Sequence, residues 1–304
     1  MYLEHFGLKE MPFALTPNTE FLYEQAGHRE ALNVLLVALR GGEGFIKIVG
    51  EVGTGKTLLC RTLLNALGDE FCTAYIPNPL LTPLGLLFAL AEELGLNPPH
   101  DTHSHHLIKQ ISGRLMALHS AGKKVILLLD EAQALPAETL EAVRLLTNLE
   151  TETSKLLQVV LFGQPELDEL LAQPSLRQLK QRLSFSYRLQ PLDRARLEGY
   201  VSYRLAVAGR ERPDLFTTGA LDALCKGSRG IPRLVTILGH KSLMVAFGRG
   251  DAKVQRAHVR LAVSDTEDAH RGRKWGQGGG RSVSRRWRKV LAGLAWRRSG
   301  SRES

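Results

Sequence analysis

Cysteine is scarce in this chain, with three residues (Cys60, Cys72 and Cys225) in 304. Their number is odd, their spacing is wide and no C-x-x-C pair occurs, which excludes a disulfide framework and points to a reducing compartment. Long apolar runs are missing as well. The longest, residues 84–91, covers eight positions, where a membrane span needs about 20. The opening Met1-Tyr2-Leu3-Glu4-His5 lacks a basic stretch followed by an apolar one, so no signal peptide is expected. Neither a secreted nor an integral membrane protein is expected, and the location read from these absences is cytoplasmic. Aromatic residues make up only 6% of the chain, and all three tryptophans, Trp275, Trp287 and Trp296, fall in its last 30 residues.

Charge is distributed just as unevenly. The net charge is +9, but eleven of the 40 basic residues lie in residues 271–304 beside the single acid Glu303. That leaves 29 basic against 30 acidic residues for 1–270. The body is electrically balanced and the tail carries the excess, so the overall charge is no argument that the folded part binds nucleic acid.

What is present first is an alternation. Short β-rich runs at Phe45–Val49, Phe71–Ile76, Val125–Leu129, Leu156–Phe162 and Ser184–Leu189 are separated by helical patterns at Leu58–Leu67, Pro83–Leu94, Leu107–Ala121 and Ala137–Leu149. This predicts an α/β fold, a parallel sheet with helices on both faces. The Val125–Leu129 run is apolar throughout, as a strand buried on both sides should be. From Pro191 onward the pattern becomes purely helical, over Asp193–Ala208, Thr217–Cys225, Ile231–Ala246 and Val254–Ala262, with Asp193 and Thr217 or Thr218 as N-caps. The expected organisation is a core over 1–190, a small all-helical domain over 191–263 and a basic tail over 264–304 containing Gly, Arg and Trp.

Gly50-Glu51-Val52-Gly53-Thr54-Gly55-Lys56-Thr57 fits G-x-x-x-x-G-K-[ST] at every fixed position, between a strand and a helix. Glycines let successive backbone N–H groups turn inward on phosphate oxygens at a helix N-terminus. Lys56 then reaches the β- and γ-phosphates and Thr57 offers a hydroxyl to Mg²⁺. The Val125–Leu129 strand ends in Asp130-Glu131-Ala132-Gln133. Asp130 is placed to support the Mg²⁺ shell and Glu131 to orient and deprotonate an attacking water. Gln164, after the Leu156–Phe162 strand, is the candidate for sensing the γ-phosphate; turning the chain before Pro165 is the competing role. Arginines that could stabilise developing charge are Arg177 and Arg182, directed at a neighbouring subunit or simply solvated, and Arg233 in Gly230-Ile231-Pro232-Arg233.

These motifs, together with Phe6-Gly7-Leu8-Lys9-Glu10-Met11-Pro12-Phe13, Phe21-Leu22-Tyr23, His28-Arg29-Glu30-Ala31-Leu32 and Phe162-Gly163-Gln164-Pro165-Glu166-Leu167, resemble the AAA+ ATPases of the ExeA/GspA type over roughly residues 1–262. The resemblance extends to the short layout of MSHA pilus biogenesis ATPases. It implies a five-stranded P-loop core with a helical lid, ATP and Mg²⁺ as cofactors and a homo-oligomer formed through ATP-site interfaces. It also implies ATP-powered assembly of a type IV-like MSHA pilus or a type II secretion apparatus, with inner-membrane proteins as partners. Under it Gln164 takes the sensor-one position, Arg182 becomes the trans-acting arginine, Arg233 the sensor-two arginine, and the segment around Phe21 and His28 borders the adenine. ExeA-type proteins continue into a membrane span and a peptidoglycan-binding domain where this sequence has a basic tail, so no peptidoglycan role is expected.

In that tail, Arg285 to Arg298 sets a short apolar stretch between basic, Trp-bearing ends. Such a segment suits an anionic membrane surface or a membrane partner, clamps nucleic acid phosphates, or merely solubilises. A peripheral inner-membrane position is one expectation, and a DNA-associated regulator resembling transposition ATPases is the alternative. The histidines at 100, 103, 105 and 106 are read as an exposed loop rather than a metal site.

Overall fold

The computed structural model describes residues 2–14, 26–77, 80–150, 154–210 and 214–270. It divides into two units, Ala26–Gln190 and Pro191 onward together with the N-terminal Met1–Gln25. Residues 271–304 and Phe21-Leu22-Tyr23 lie outside the described residues, whereas 264–270 of the expected tail hold the end of one helix at Ser264 and a second at Glu267–His270.

In the first unit the helix α2 (Ala26–Arg40) leads into β1 (Phe45–Val49), α3 (Lys56–Ala66), β2 (Phe71–Ile76), α4 (Pro83–Glu93), α5 (Ser104–Ser120) and β3 (Lys124–Leu129). Then come α6 (Ala137–Leu146), β4 (Leu157–Gly163), α7 (Glu166–Leu171), α8 (Arg177–Gln181) and β5 (Phe185–Arg188). The strands form one sheet in the order β2-β3-β4-β1-β5, with every pairing parallel. Strand alternation sends Phe45 and Val49 into the core beneath α4, α5 and α6, while Ile46 and Ile48 enter the core beneath α2 and α3. β3 and β4 feed both cores, which is why, apart from Lys124 at the start of β3 and the buried Gln158 of β4, their sequences are apolar without alternation. Lys47 is the exception within β1. Its ammonium is neutralised by Asp168 of α7, which also binds Arg188 of β5.

The helical unit contains α9 (Arg194–Val207), α10 (Thr218–Ser228), α11 (Pro232–Arg249), α12 (Arg256–Ser264) and the short α13 (Glu267–His270). Asp193 caps α9 by accepting from the Arg196 N–H at 2.8 Å, and Thr217 caps α10 by accepting from the Ala220 N–H at 3.3 Å, as the sequence predicts. Gly230 has φ +72, and a Cβ there would lie 2.1 Å from the Leu192 carbonyl oxygen. A close backbone approach therefore fixes the first residue of the Gly-Ile-Pro-Arg motif.

The N-terminal segment belongs to this helical unit, which differs from the expected 1–190 core. Tyr2, Phe6, Leu8 and Phe13 are buried in the same cluster as Leu197, Val201, Leu205, Val235 and Leu238. The Arg204 guanidinium, itself buried, donates to the carbonyls of Pro12 at 2.6 Å and Ala14 at 3.1 Å. Arg210 donates to the Phe6 carbonyl, and Lys9 N–H donates to Ala208 O at 2.8 Å. The helix α1 (Tyr2–His5) begins this strap. Among the described residues no helix is long and apolar enough to cross a membrane.

Candidate functional site

The sheet order decides which loops meet. β1 lies between β4 and β5, and β4 lies beside β3. In a parallel sheet the segments leaving the carboxyl ends of β1, β4 and β3 therefore emerge side by side, where ligands bind in open α/β folds. Those segments are the glycine-rich loop, Gln164 and Asp130-Glu131.

The loop turns into α3 at Gly55, whose φ of +94 is closed to most side chains. Lys56 opens the helix, and its ammonium folds back onto the carbonyls of Gly50 at 2.9 Å and Glu51 at 3.2 Å. Burial holds its pKa below the ordinary lysine range, opposed by the charges of Glu131, Asp130, Glu51 and Glu166. Thr57, the next residue, donates its hydroxyl to Asp130 Oδ2 at 2.7 Å. Burial raises the Asp130 pKa, against the stabilising bonds from Thr57 and the Glu131 N–H.

Glu131 is held differently. Its backbone is left-handed at φ 52, an uncommon state for a non-glycine residue. One oxygen, Oε2, accepts from Gln164 Nε2 at 2.9 Å and from Gln133 Nε2 at 2.6 Å. Burial pushes this carboxyl up, but the two amides and the Lys56 charge outweigh it and leave the pKa below the usual range. The adjacent carboxylates are thus driven in opposite directions, an arrangement that separates chemical roles.

The structure brings Lys56, Thr57, Asp130, Glu131 and Gln164 into one cluster. It places His28 against the loop from α2, with Nε2 2.7 Å from where a Cβ on Gly55 would sit. That nitrogen has no hydrogen-bond partner among the described residues. The Thr54 and Gly55 backbone favours the charged ring, but burial dominates and holds the imidazole below its usual pKa. Arg182 joins no part of the cluster by hydrogen bond; at the end of α8 it donates to Thr147 Oγ1 at 3.1 Å. Arg177 is exposed, and Arg233 is exposed in the first turn of α11 in the helical unit. In the sequence, Gln133 stands in Asp130-Glu131-Ala132-Gln133 with no role of its own. The three-residue spacing to Asp130 was visible, but the contact to Gln164 joins two strands and has no local signature.

The donor set fits a magnesium nucleoside triphosphate. The loop offers N–H groups at a helix N-terminus with a buried ammonium beside them, and Thr57 and Asp130 present the hard oxygens that Mg²⁺ prefers. No group of three or more His, Cys, Asp or Glu side chains suited to a metal occurs among the described residues; His105 and His106 lie in the first turn of α5 and His103 is its N-cap residue, rather than all four lying in the expected loop.

Fold and site together define a P-loop nucleotide-binding domain of the AAA class, and the family described as AAA domain matches residues 39–171. General secretion pathway protein A of Aeromonas hydrophila is 45% identical over 278 residues, covering 91% of this chain and 51% of that protein. The chain is therefore similar to the ExeA/GspA-type AAA proteins and spans about half the length of this curated relative. Among solved structures, the Aeropyrum pernix ORC2 protein in ADPNP and ADP complexes superposes with a TM-score of 0.61 at 18% identity, over 85% of this chain and 72% of that one. Cdc6p from Pyrobaculum aerophilum gives 0.61 at 20% identity, over 84% and 70% of the two chains. At these identities the likeness is one of fold.

Proposed function

We propose that this chain hydrolyses MgATP and uses the cycle to drive assembly of a type II secretion or MSHA-type pilus apparatus at the inner membrane. The observation that carries the chemistry is the cluster in which Thr57 is bonded to Asp130 while Lys56 and Glu131 flank it. Lys56 exchanges the Gly50 and Glu51 carbonyls for phosphate oxygens and brings positive charge to where negative charge develops. Thr57 and Asp130 hold Mg²⁺, which supplies charge neutralisation on the phosphates when bound. Glu131, ionised and held by two amides, orients the attacking water and accepts its proton at the carboxylate. Gln164 leaves Glu131 to report the γ-phosphate, and His28 supports the loop at Gly55. Arg182 from a neighbouring subunit and Arg233 from the helical unit complete the charge stabilisation in a homo-oligomer. The assembly role is supported by the 45% identity to general secretion pathway protein A. The inner-membrane position, the pilus client and the tail as membrane contact belong to the same proposal.

The test is the steady-state ATPase rate of the full chain and of residues 1–270, each alone, with anionic liposomes and with duplex DNA. Mg²⁺-dependent turnover stimulated by liposomes and lost on truncation supports the proposal. Stimulation by DNA at physiological salt, with liposomes inert, replaces it with a DNA-associated regulator.

A further inference from the structure

Gln133 has no place in the chemistry above, yet it touches two residues that do. It lies in the 3-10 turn Ala132–Ala134 that follows Glu131. Its Nε2 donates to Glu131 Oε2 at 2.6 Å, and its Oε1 accepts from the Gln164 backbone N–H at 3.0 Å. Gln164 closes the ring by donating its own Nε2 to the same Glu131 oxygen at 2.9 Å. Both amides therefore grip Oε2, and Oε1 receives neither of them.

The two grips are not equivalent. Gln164 holds Glu131 through a side chain that a change of rotamer releases. Gln133 is pinned at its other end to a backbone N–H at the end of β4, which no side-chain rotation moves. The left-handed backbone of Glu131 adds to the need, because such a conformation persists only where its surroundings enforce it. The charged neighbours of the carboxylate are Lys56 on α3 and Asp130 beside it, and neither fixes which oxygen faces outward.

We propose that Gln133 is the positioning residue that keeps the Glu131 carboxylate turned with Oε1 toward the attacking water, holding it when the Gln164 amide departs for the γ-phosphate. The proposal rests on the reading of Glu131 as the water-directing group.

Three substitutions in the full chain separate the contributions. Gln133→Leu removes both hydrogen bonds. Gln133→Glu preserves the acceptor for the Gln164 N–H and replaces the donor to Glu131 by a like charge. Gln133→Asn keeps the amide on a shorter stem. The readouts are kcat and KM for ATP across pH, the affinity for a fluorescent ATP analogue, and the melting temperature. Leu and Glu variants are expected to lose about tenfold or more in kcat, as disrupted supporting shells do, with analogue affinity retained and partial recovery in the Asn variant. A Gln133→Glu variant with unaltered kcat overturns the proposal, as does a loss confined to KM and analogue affinity. Where Gln133→Leu fails to fold, the kcat of Gln133→Glu at an unchanged melting temperature decides. Unimpaired turnover in Glu131→Gln removes the water-directing reading itself, a failure distinguishable from that of Gln133.

Discussion

Adding one methyl group at Gly55 tests the geometry of the phosphate loop more sharply than removing its lysine. Gly55→Ala meets two separate penalties. The backbone sits at φ +94, and a left-handed conformation costs an L-residue about 1–2 kcal/mol. The new Cβ would also lie 2.7 Å from His28 Nε2, closer than any real carbon contact. Displacing a packed ring to admit a methyl costs about 1–3 kcal/mol. If the penalties add, the variant loses roughly 2–5 kcal/mol of stability. His28→Ala relieves the second penalty and leaves the first. His28 Nε2 has no hydrogen-bond partner among the described residues, and that substitution removes the ring's packing and its interaction with the Thr54 and Gly55 backbone.

The double-mutant cycle therefore predicts that Gly55→Ala is about 1–3 kcal/mol cheaper in the His28→Ala background than in the native one. Urea unfolding of the four proteins by circular dichroism gives the coupling. Tryptophan fluorescence is unsuitable, since every tryptophan lies in residues 271–304. Equal costs in both backgrounds, within about 0.5 kcal/mol, would refute the placement of the ring against the loop. A variant that loses neither stability nor affinity for an ATP analogue would refute the left-handed turn as well.

Other consequences are simpler. Glu131→Gln should bind the ATP analogue and stall hydrolysis; near-normal turnover in a coupled phosphate-release assay would sink the assignment of the water-directing group. Thr57→Val should raise the Mg²⁺ concentration needed for half-maximal turnover, and an unchanged Mg²⁺ titration would exclude Thr57 from the metal shell. Acidification should destabilise the fold. Burial holds the imidazoles of His28, His240 and His258 below their ordinary value of 6.5, despite an attractive Asp251 beside His258. The unfolded chain thus takes up protons first as pH falls, so stability is full above about 6.5 and declines below it. Melting temperatures measured from pH 7.5 down to 5.5 should fall, and should fall less in His258→Gln.

The five strands could be read within one residue of their ends because β1, β3 and β4 are short, apolar and bounded by polar turns. The parallel sheet followed from the helices between them, and the phosphate loop and Asp130-Glu131 from spacing alone. Local pattern is also present for α2, whose Ala31, Leu35, Ala38 and Leu39 are buried at helical spacing. The role of Gln133 was out of reach for another reason: its two bonds close a ring between the ends of β3 and β4. The N-terminal segment shows the same limit on a larger scale. Phe6 and Phe13 have no periodicity to declare a partner, and the guanidinium that receives the segment belongs to Arg204, about 190 positions along the chain.

That long-range contact carries a prediction of its own. Phe13 is 1% exposed, stands edge-on to Phe216 at 5.9 Å between ring centroids, and occupies the space above Gly239, where a Cβ would meet its ring at 3.0 Å. Gly239 supplies no side chain to collapse into the gap. Phe13→Ala should therefore cost near the upper end of about 3–5 kcal/mol, and the cost should fall on the helical unit. Hydrogen exchange distinguishes the two possible outcomes. Amides of α9, α10 and α11 should lose protection, while those of β1, β3 and β4, whose cores contain none of the described residues before Ala31, should keep theirs. Loss of protection in β1 with α11 unaffected would show that the opening residues support the nucleotide-binding unit after all. The Phe-Gly-Leu-Lys-Glu-Met-Pro-Phe signature is a fastening for the helical unit, held by Arg204 and Arg210 through backbone carbonyls.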